Sequence, residues 1–301
     1  MPEPAADRTA GSSAPRPTVV RQLVLRPVKS LAGVEVGDAL VERAGLAGDR
    51  RWMVVDPGGE VVTARELHAL LGVRAAPAPG GILLSSSGLD DLLVLEPREA
   101  ALVPVGLSRL ESARPAGREA DAWLAVATGA DGVRLVWLDD PSRRSVSAAH
   151  GGRQGEPLNL SDAGPIHLTT TASLAALNDW LVEAGESPIP MERFRPSIVV
   201  DGDLEPFAED AWASVRIGDV RLRFSEHCDR CVLTTIDLES LRTTKEPVRT
   251  LARHRRHGGN VWFGIRLVPE TTGRIAVGDP VVVETAEGVV GEFPLTPVLL
   301  P

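Results

Sequence analysis

Val215-Arg216-Ile217-Gly218-Asp219-Val220-Arg221-Leu222-Arg223-Phe224 runs directly into Ser225-Glu226-His227-Cys228-Asp229-Arg230-Cys231-Val232-Leu233-Thr234-Thr235-Ile236-Asp237. The first stretch reads as a β-hairpin that turns at Gly218-Asp219. The second holds the only two cysteines of the chain and packs His, Cys, Asp, Arg and Cys into five positions. The β-branched run Val232 to Ile236 then reads as a strand. Hairpins of this kind recur in both directions. Upstream lie Thr18 to Leu25, Val34 to Val36, Ala39 to Val41, and Arg51 to Val55 turning at Asp56-Pro57-Gly58-Gly59 into Val61 to Thr63. Residues 34–36 and 39–41 read as two short strands about a tight Gly37-Asp38 turn. Strands are also expected at 81–84, 92–95, 133–138, 166–169, 197–200, 263–268 and 281–283. Helical spacing is confined to Glu119 to Thr128, Ala172 to Ala184 (Leu174, Leu177 and Leu181 on one face) and the short basic segment Pro247 to Arg256. The fold class is mainly β with a few helices (α+β), a barrel or sandwich in architecture.

The 301 residues suffice for a large core or two domains, and the net charge of -9 excludes nucleic acid as the main partner. Two cysteines three positions apart do not staple a large domain. No apolar run reaches the roughly 18 residues that span a bilayer. Met1 to Pro17, rich in Ala, Pro and Ser, lacks the apolar centre of a secretory signal and reads as a disordered lead-in. The tail from residue 288 reads as loose. On this basis no membrane partner is expected, and the location expected is cytoplasmic. Ser142 to Asn159, polar, Gly-rich and basic, is longer than a simple connection and is either a functional loop or a surface insert.

The Cys-x-x-Cys admits three readings. Zinc needs four ligands and the pair supplies two. A thioredoxin-like pair opens a helix, whereas a β-branched run follows here. There remain a single functional thiolate at the lip of a strand, with Arg230 favouring its ionised form, or two small buried hydrophobes. A thiolate is a soft donor suited to a heavier transition metal. Three basic clusters stand at strand ends: Pro27-Val28-Lys29-Ser30, Asp49-Arg50-Arg51-Trp52 and Arg193-Phe194-Arg195-Pro196. Such clusters suit an anionic, phosphate-bearing ligand, and each taken singly also suits a solvated charge.

These clusters occur in a fixed order with Ser161-Asp162, Ala172-Ser173-Leu174, Phe207-Ala208-Glu209-Asp210-Ala211-Trp212, Cys228-Asp229-Arg230-Cys231, Glu246-Pro247 and Phe263-Gly264. The ensemble, from about Val20 to Val283, resembles the MOSC superfamily: a MOSC N-terminal β-barrel followed by a MOSC domain, as in the amidoxime-reducing molybdenum enzymes and their bacterial relatives. The resemblance implies a barrel-like domain over 18–130 and a MOSC domain over 131–287. It also implies a molybdenum cofactor, one pyranopterin dithiolene with a terminal phosphate, ligated through Cys231. Lys29, Ser30 and Arg51 match positions about the phosphate; Arg195, Asp229 and Arg230 match positions about the pterin and the metal. Asp162 matches an acidic position near the substrate and is the expected proton relay. Ser197 stands where the family usually has a pterin-contacting Asn, and Leu238-Glu239-Ser240 replaces a Pro-x-Thr-Gly. The implied activity is reduction of N-hydroxylated compounds to amines, with electrons from a separate ferredoxin or flavoprotein, since no iron–sulfur relay is expected within the chain. Arg253 to His257 offers a basic surface to an acidic partner. The other function to weigh is a non-catalytic carrier of the cofactor or of sulfur.

Overall fold

The computed structural model describes residues 16–285; the rest of the lead-in and the expected tail lie outside them. The largest sheet runs, in spatial order, through Val34–Val36, Val19–Leu25, Ile198–Asp201, Ile166–Thr170, Asn260–Pro269, Val220–Asp229, Trp212–Ile217 and Val281–Thr285, with the short strand Arg256–His257 paired to 260–269. A second sheet orders Val103–Leu107, Leu110–Pro115, Arg134–Trp137, Trp52–Val55 and Val61–Val62. Two three-stranded sheets complete the β-structure: Gly273–Ala276 with Asp38–Glu42 and Gly45–Leu46, and Arg74–Ala78 with Gly81–Ser85 and Leu92–Leu95. The fold is mostly β, with the expected barrel-like N-terminal domain ahead of a second β domain.

The pattern behind this is alternation. Asp38–Glu42 buries every second residue, as does Gly81–Ser85, and each apolar face covers one of two main cores. Val, Ile and Leu of the large sheet form one, around Leu23, Leu168, Ile198, Val215 and Ile265. The other gathers Trp52, Leu70, Leu84, Leu124 and Leu135, with Trp52 and Trp137 at 5.9 Å between ring centroids. With no tyrosine in the chain, branched aliphatics supply most of this buried area.

Three helices form, α1 (Arg118–Thr128), α2 (Thr171–Glu183) and α3 (Val248–His254). Thr170 caps α2 by accepting from the Ser173 amide. The helix carries the chain between 166–170 and 198–201, the parallel pair among the sheet neighbours, as a crossover must. Leu177 and Leu181 pack into a third cluster with Phe194, Leu251 and Phe263. No helix among the described residues is long and apolar enough to cross a membrane.

Three expectations change. Residues 34–36 and 38–42 are both strands, but they do not pair with each other. The first joins 19–25 and the second joins 45–46 and 273–276. Val232 to Ile236 is not a strand: Val232–Thr235 forms a 3-10 turn, which Arg193 fastens by donating to the Thr234 carbonyl at 2.8 Å. Arg253 to His257 is not one basic face, because Arg255 is buried, paired with Asp210 and set over Phe207, while His254 stacks on Trp180. Pairing also crosses the division expected at residue 130, since 19–25 lies beside 198–201 and 134–137 beside 52–55.

Glu209 ties the start of α2 to the turn 208–211, accepting from Ser173 Oγ at 2.8 Å and Thr170 Oγ1 at 3.1 Å. Burial first, then Asp210, push its carboxyl up from 4.5 to about 7. The fold therefore keeps a proton that the unfolded chain releases, and stability falls as pH rises from the unfolded to the folded value. Glu209→Gln, its neutral isostere, should match wild type near about pH 4.5. Its advantage in urea unfolding should grow up to about pH 7 and then hold at up to roughly 3 kcal/mol. A difference independent of pH would refute this.

Candidate functional site

Both main cores present their turns to one cavity of about 360 Å³. Lys29 and Ser30 stand in the turn after the first strand. Ser30 has a left-handed φ of 71°, and the Lys29 amide donates to the Trp52 carbonyl at 2.7 Å. This bond fixes the turn to the strand that begins the barrel core. Lys29 Nζ donates to the Leu160 carbonyl at 3.0 Å and pairs with Asp162. Arg65, after the 61–62 strand, reaches the other oxygen of Asp162 at 3.0 Å and lies beside Cys231. Burial alone would raise the Asp162 carboxyl, but Lys29, Arg65 and Arg266 hold it well below the usual carboxylate range. Burial lowers Lys29 despite that carboxylate.

The cysteines arrive on the opposite wall. Register slips between Phe224 and Glu226 and again between His227 and Asp229 in the pairing of 220–229 with 260–269. Bulges of this sort turn side chains at the end of a strand. Cys228 is buried, and its Sγ accepts from Arg230 Nη1 at 2.9 Å. Arg230 Nη2 donates to the Phe194 carbonyl at 2.9 Å, with the guanidinium over the Phe194 ring. Phe194 is itself stacked on Phe263 at 3.8 Å. Cys231 is partly exposed and precedes the 232–235 turn, its carbonyl accepting from the Thr234 amide. Arg266 donates to Asp229 at 2.7 Å and to Glu226 at 2.6 Å. Against the penalty of burial, Cys228, Glu226 and Asp229 hold its guanidinium well above its ordinary value.

Of the residues singled out in the sequence, Lys29, Ser30, Asp162, Arg195, Asp229, Arg230 and Cys231 line the cavity together. Arg51 does not. Its guanidinium donates to the Leu138 and Asp139 carbonyls and lies 5.6 Å from the Trp137 ring centroid. Arg50 takes that place, because a left-handed φ of 49° swings it off the strand direction, and buried Asp49 pairs with it. Ser197 is fully buried behind the wall and accepts from Arg50 Nη1 at 3.2 Å. Arg195, also left-handed, donates to the Leu31 carbonyl at 2.7 Å. Burial and then the neighbouring Arg50 push it down to about 9. Cys228, assigned no role beyond packing from sequence, is part of the lining. So are Arg50, from the Asp49-Arg50-Arg51-Trp52 cluster, and Arg65, Arg266, His150 and His167, which carry no local motif.

Six cationic side chains (Lys29, Arg50, Arg65, Arg195, Arg230, Arg266) therefore face two carboxylates, Asp162 and Asp229. Such a cavity recognises an anion, and the thiol of Cys231 adds a soft donor. Among the described residues no group of three or more His, Cys, Asp or Glu gathers to hold a metal by itself. The Nε of Arg230 is buried with no hydrogen-bond partner among the described residues.

The MOSC N-terminal beta barrel domain matches residues 17–131, and the MOSC domain matches 155–282. The chain is 33% identical over 280 residues to mitochondrial amidoxime-reducing component 1 of Homo sapiens, covering 87% of this chain and 82% of that one. It is 33% identical to the Xenopus laevis component 1, over 90% of this chain and 83% of the relative. Mitochondrial amidoxime reducing component 2 of Rattus norvegicus is 31% identical, over 87% and 82%. These relatives are mitochondrial, which overturns the cytoplasmic expectation: lacking a secretory apolar centre excludes only one kind of address. By these matches the chain belongs to the MOSC family, with a MOSC N-terminal β-barrel ahead of its MOSC domain, alongside the amidoxime-reducing components.

Proposed function

We propose that the cavity binds a molybdenum cofactor through Cys231 and that the protein reduces N-hydroxylated compounds to amines. The observation that carries this reading is the six-to-two excess of cationic over acidic side chains around a thiol, in a chain whose net charge is -9. A phosphate-bearing pterin satisfies that excess, and the unpaired Nε of Arg230 is a donor in wait for it. Lys29, Ser30 and Arg50 would hold the phosphate. Arg195 and Arg230 would hold the pterin as donors and Asp229 as an acceptor. Molybdenum, when bound, supplies a two-electron couple. Asp162 is ill suited to relay a proton at neutral pH, since Lys29 and Arg65 keep it ionised. Its part is to fix those two cations at the cavity mouth. Electrons come from a separate ferredoxin or flavoprotein.

Protein made in a host that synthesises the cofactor should contain stoichiometric molybdenum and reduce a benzamidoxime with reduced methyl viologen. Wild type without molybdenum would sink the reading; molybdenum without reduction would favour a carrier. Cys231→Ala should lose the metal, and Cys228→Ala should retain it. Equal loss in both would overturn the single-ligand assignment. Arg50→Gln should weaken cofactor retention roughly tenfold and Arg51→Gln should leave it unchanged, measured as molybdenum per chain after gel filtration.

A further inference from the structure

Reducing an N-hydroxyl group breaks the N–O bond and takes up two electrons and two protons, giving an amine and water. On the reading above the electrons enter at the Cys231 end, replenished by the separate redox protein. The protons need a donor in the chain. Asp162 is held ionised, and His167 is buried, its Nε2 3.4 Å from the Phe263 carbonyl. Burial, then Arg230, Arg266 and Arg50, keep that ring neutral.

We propose that His150, carried by the 142–159 loop, is the proton donor of this cavity, with Glu226 as its positioning residue. His150 lines the cavity and is 40% exposed, so solvent can reprotonate it. Its Nδ1 lies 3.0 Å from Glu226 Oε2, and Glu226 is in turn gripped by Arg266 at 2.6 Å. A carboxylate accepts only, so Nδ1 carries the hydrogen and Nε2 is left to serve substrate. The loop is built to hold this ring. Arg144, buried, donates to the Ser108 carbonyl at 3.0 Å and to those of Asn159 and Ser161 at 2.5 Å each. Arg223 meets both oxygens of Glu156 at 2.8 Å and the Gly151 carbonyl at 3.1 Å. Gly151 has a φ of 69°, and a Cβ there would lie 2.1 Å from the Ser225 carbonyl oxygen, so His150 is pressed onto the strand that bears Glu226. Other charges of the loop and the cavity include Arg143, paired with Asp139, Arg153, paired with Glu270, Asp229 on the same strand as Glu226, and Arg65 and Asp162 in the lining. In the step the doubly protonated ring gives its Nε2 hydrogen to the departing hydroxyl oxygen as the N–O bond breaks, which leaves the Nδ1–H neutral form for solvent to reprotonate, and the nitrogen takes the second proton from solvent at the mouth.

This assignment rests on the reductase reading, and two measurements separate their failures. His150→Gln should keep wild-type molybdenum content and KM and lose on the order of 100-fold in kcat. Wild-type kcat in His150→Gln, beside an active control, would overturn the assignment while leaving the reading standing. Nitrogen-15 NMR of the neutral imidazole should place the hydrogen on Nδ1 in wild type and move it to Nε2 in Glu226→Leu, which removes the acceptor. An Nε2–H tautomer in wild type would overturn the assignment whether or not any substrate is reduced, whereas an inactive wild-type control would overturn the reading first.

Discussion

Like charge crowded into one cavity is the constraint on which this fold turns. Cations this close repel, and each loses hydration as the wall closes over it. The chain offsets that cost with main-chain carbonyls: Leu160 takes Lys29, Leu31 takes Arg195, and Phe194 takes Arg230. Those carbonyls belong to turns that leave different sheets. The site exists only when the barrel core and the large sheet are docked, and Lys29 bonded to the Trp52 carbonyl is one of the seams.

The same logic explains why buried acids sit where they do. Asp49, fully buried, accepts from the Arg26 amide at 2.7 Å and pairs with Arg50. Glu226 and Asp229 share Arg266. Each carboxylate orients a cation without cancelling the field of the cavity, because the cations outnumber them. Cys228 belongs to this set: its sulfur fixes the guanidinium that spans Phe194 and the mouth of the Cys-x-x-Cys, leaving Cys231 as the thiol at the open side.

Much of the fold was legible because alternation and turn residues are local. The hairpin 212–229, the helices and the strand 52–55 with its return at 61–62 follow from them. Pairing across distance was not legible. Nothing between Val36 and Asp38 says that the two short strands part to join different sheets. Val232 to Thr235 has strand propensity, yet Arg193, 41 positions before Thr234, holds it as a turn. Of the residues bearing a sequence motif, Lys29, Ser30, Asp162, Arg195, Asp229, Arg230 and Cys231 line the cavity, whereas Arg51 turns away and Arg50 lines it, because a left-handed backbone angle leaves no mark in the sequence. Arg65, Arg266 and His150 are single polar side chains that only the assembled walls bring together.

On the proposed function, this cationic cavity presents Cys231 as the one protein sulfur ligand of molybdenum. X-ray absorption at the molybdenum edge tests it most directly, on protein loaded in a cofactor-producing host. Three sulfur ligands are expected in wild type and in Cys228→Ala, two from the dithiolene and one from Cys231. Two sulfur ligands in wild type, or a loss of one on removing Cys228 alone, would contradict it.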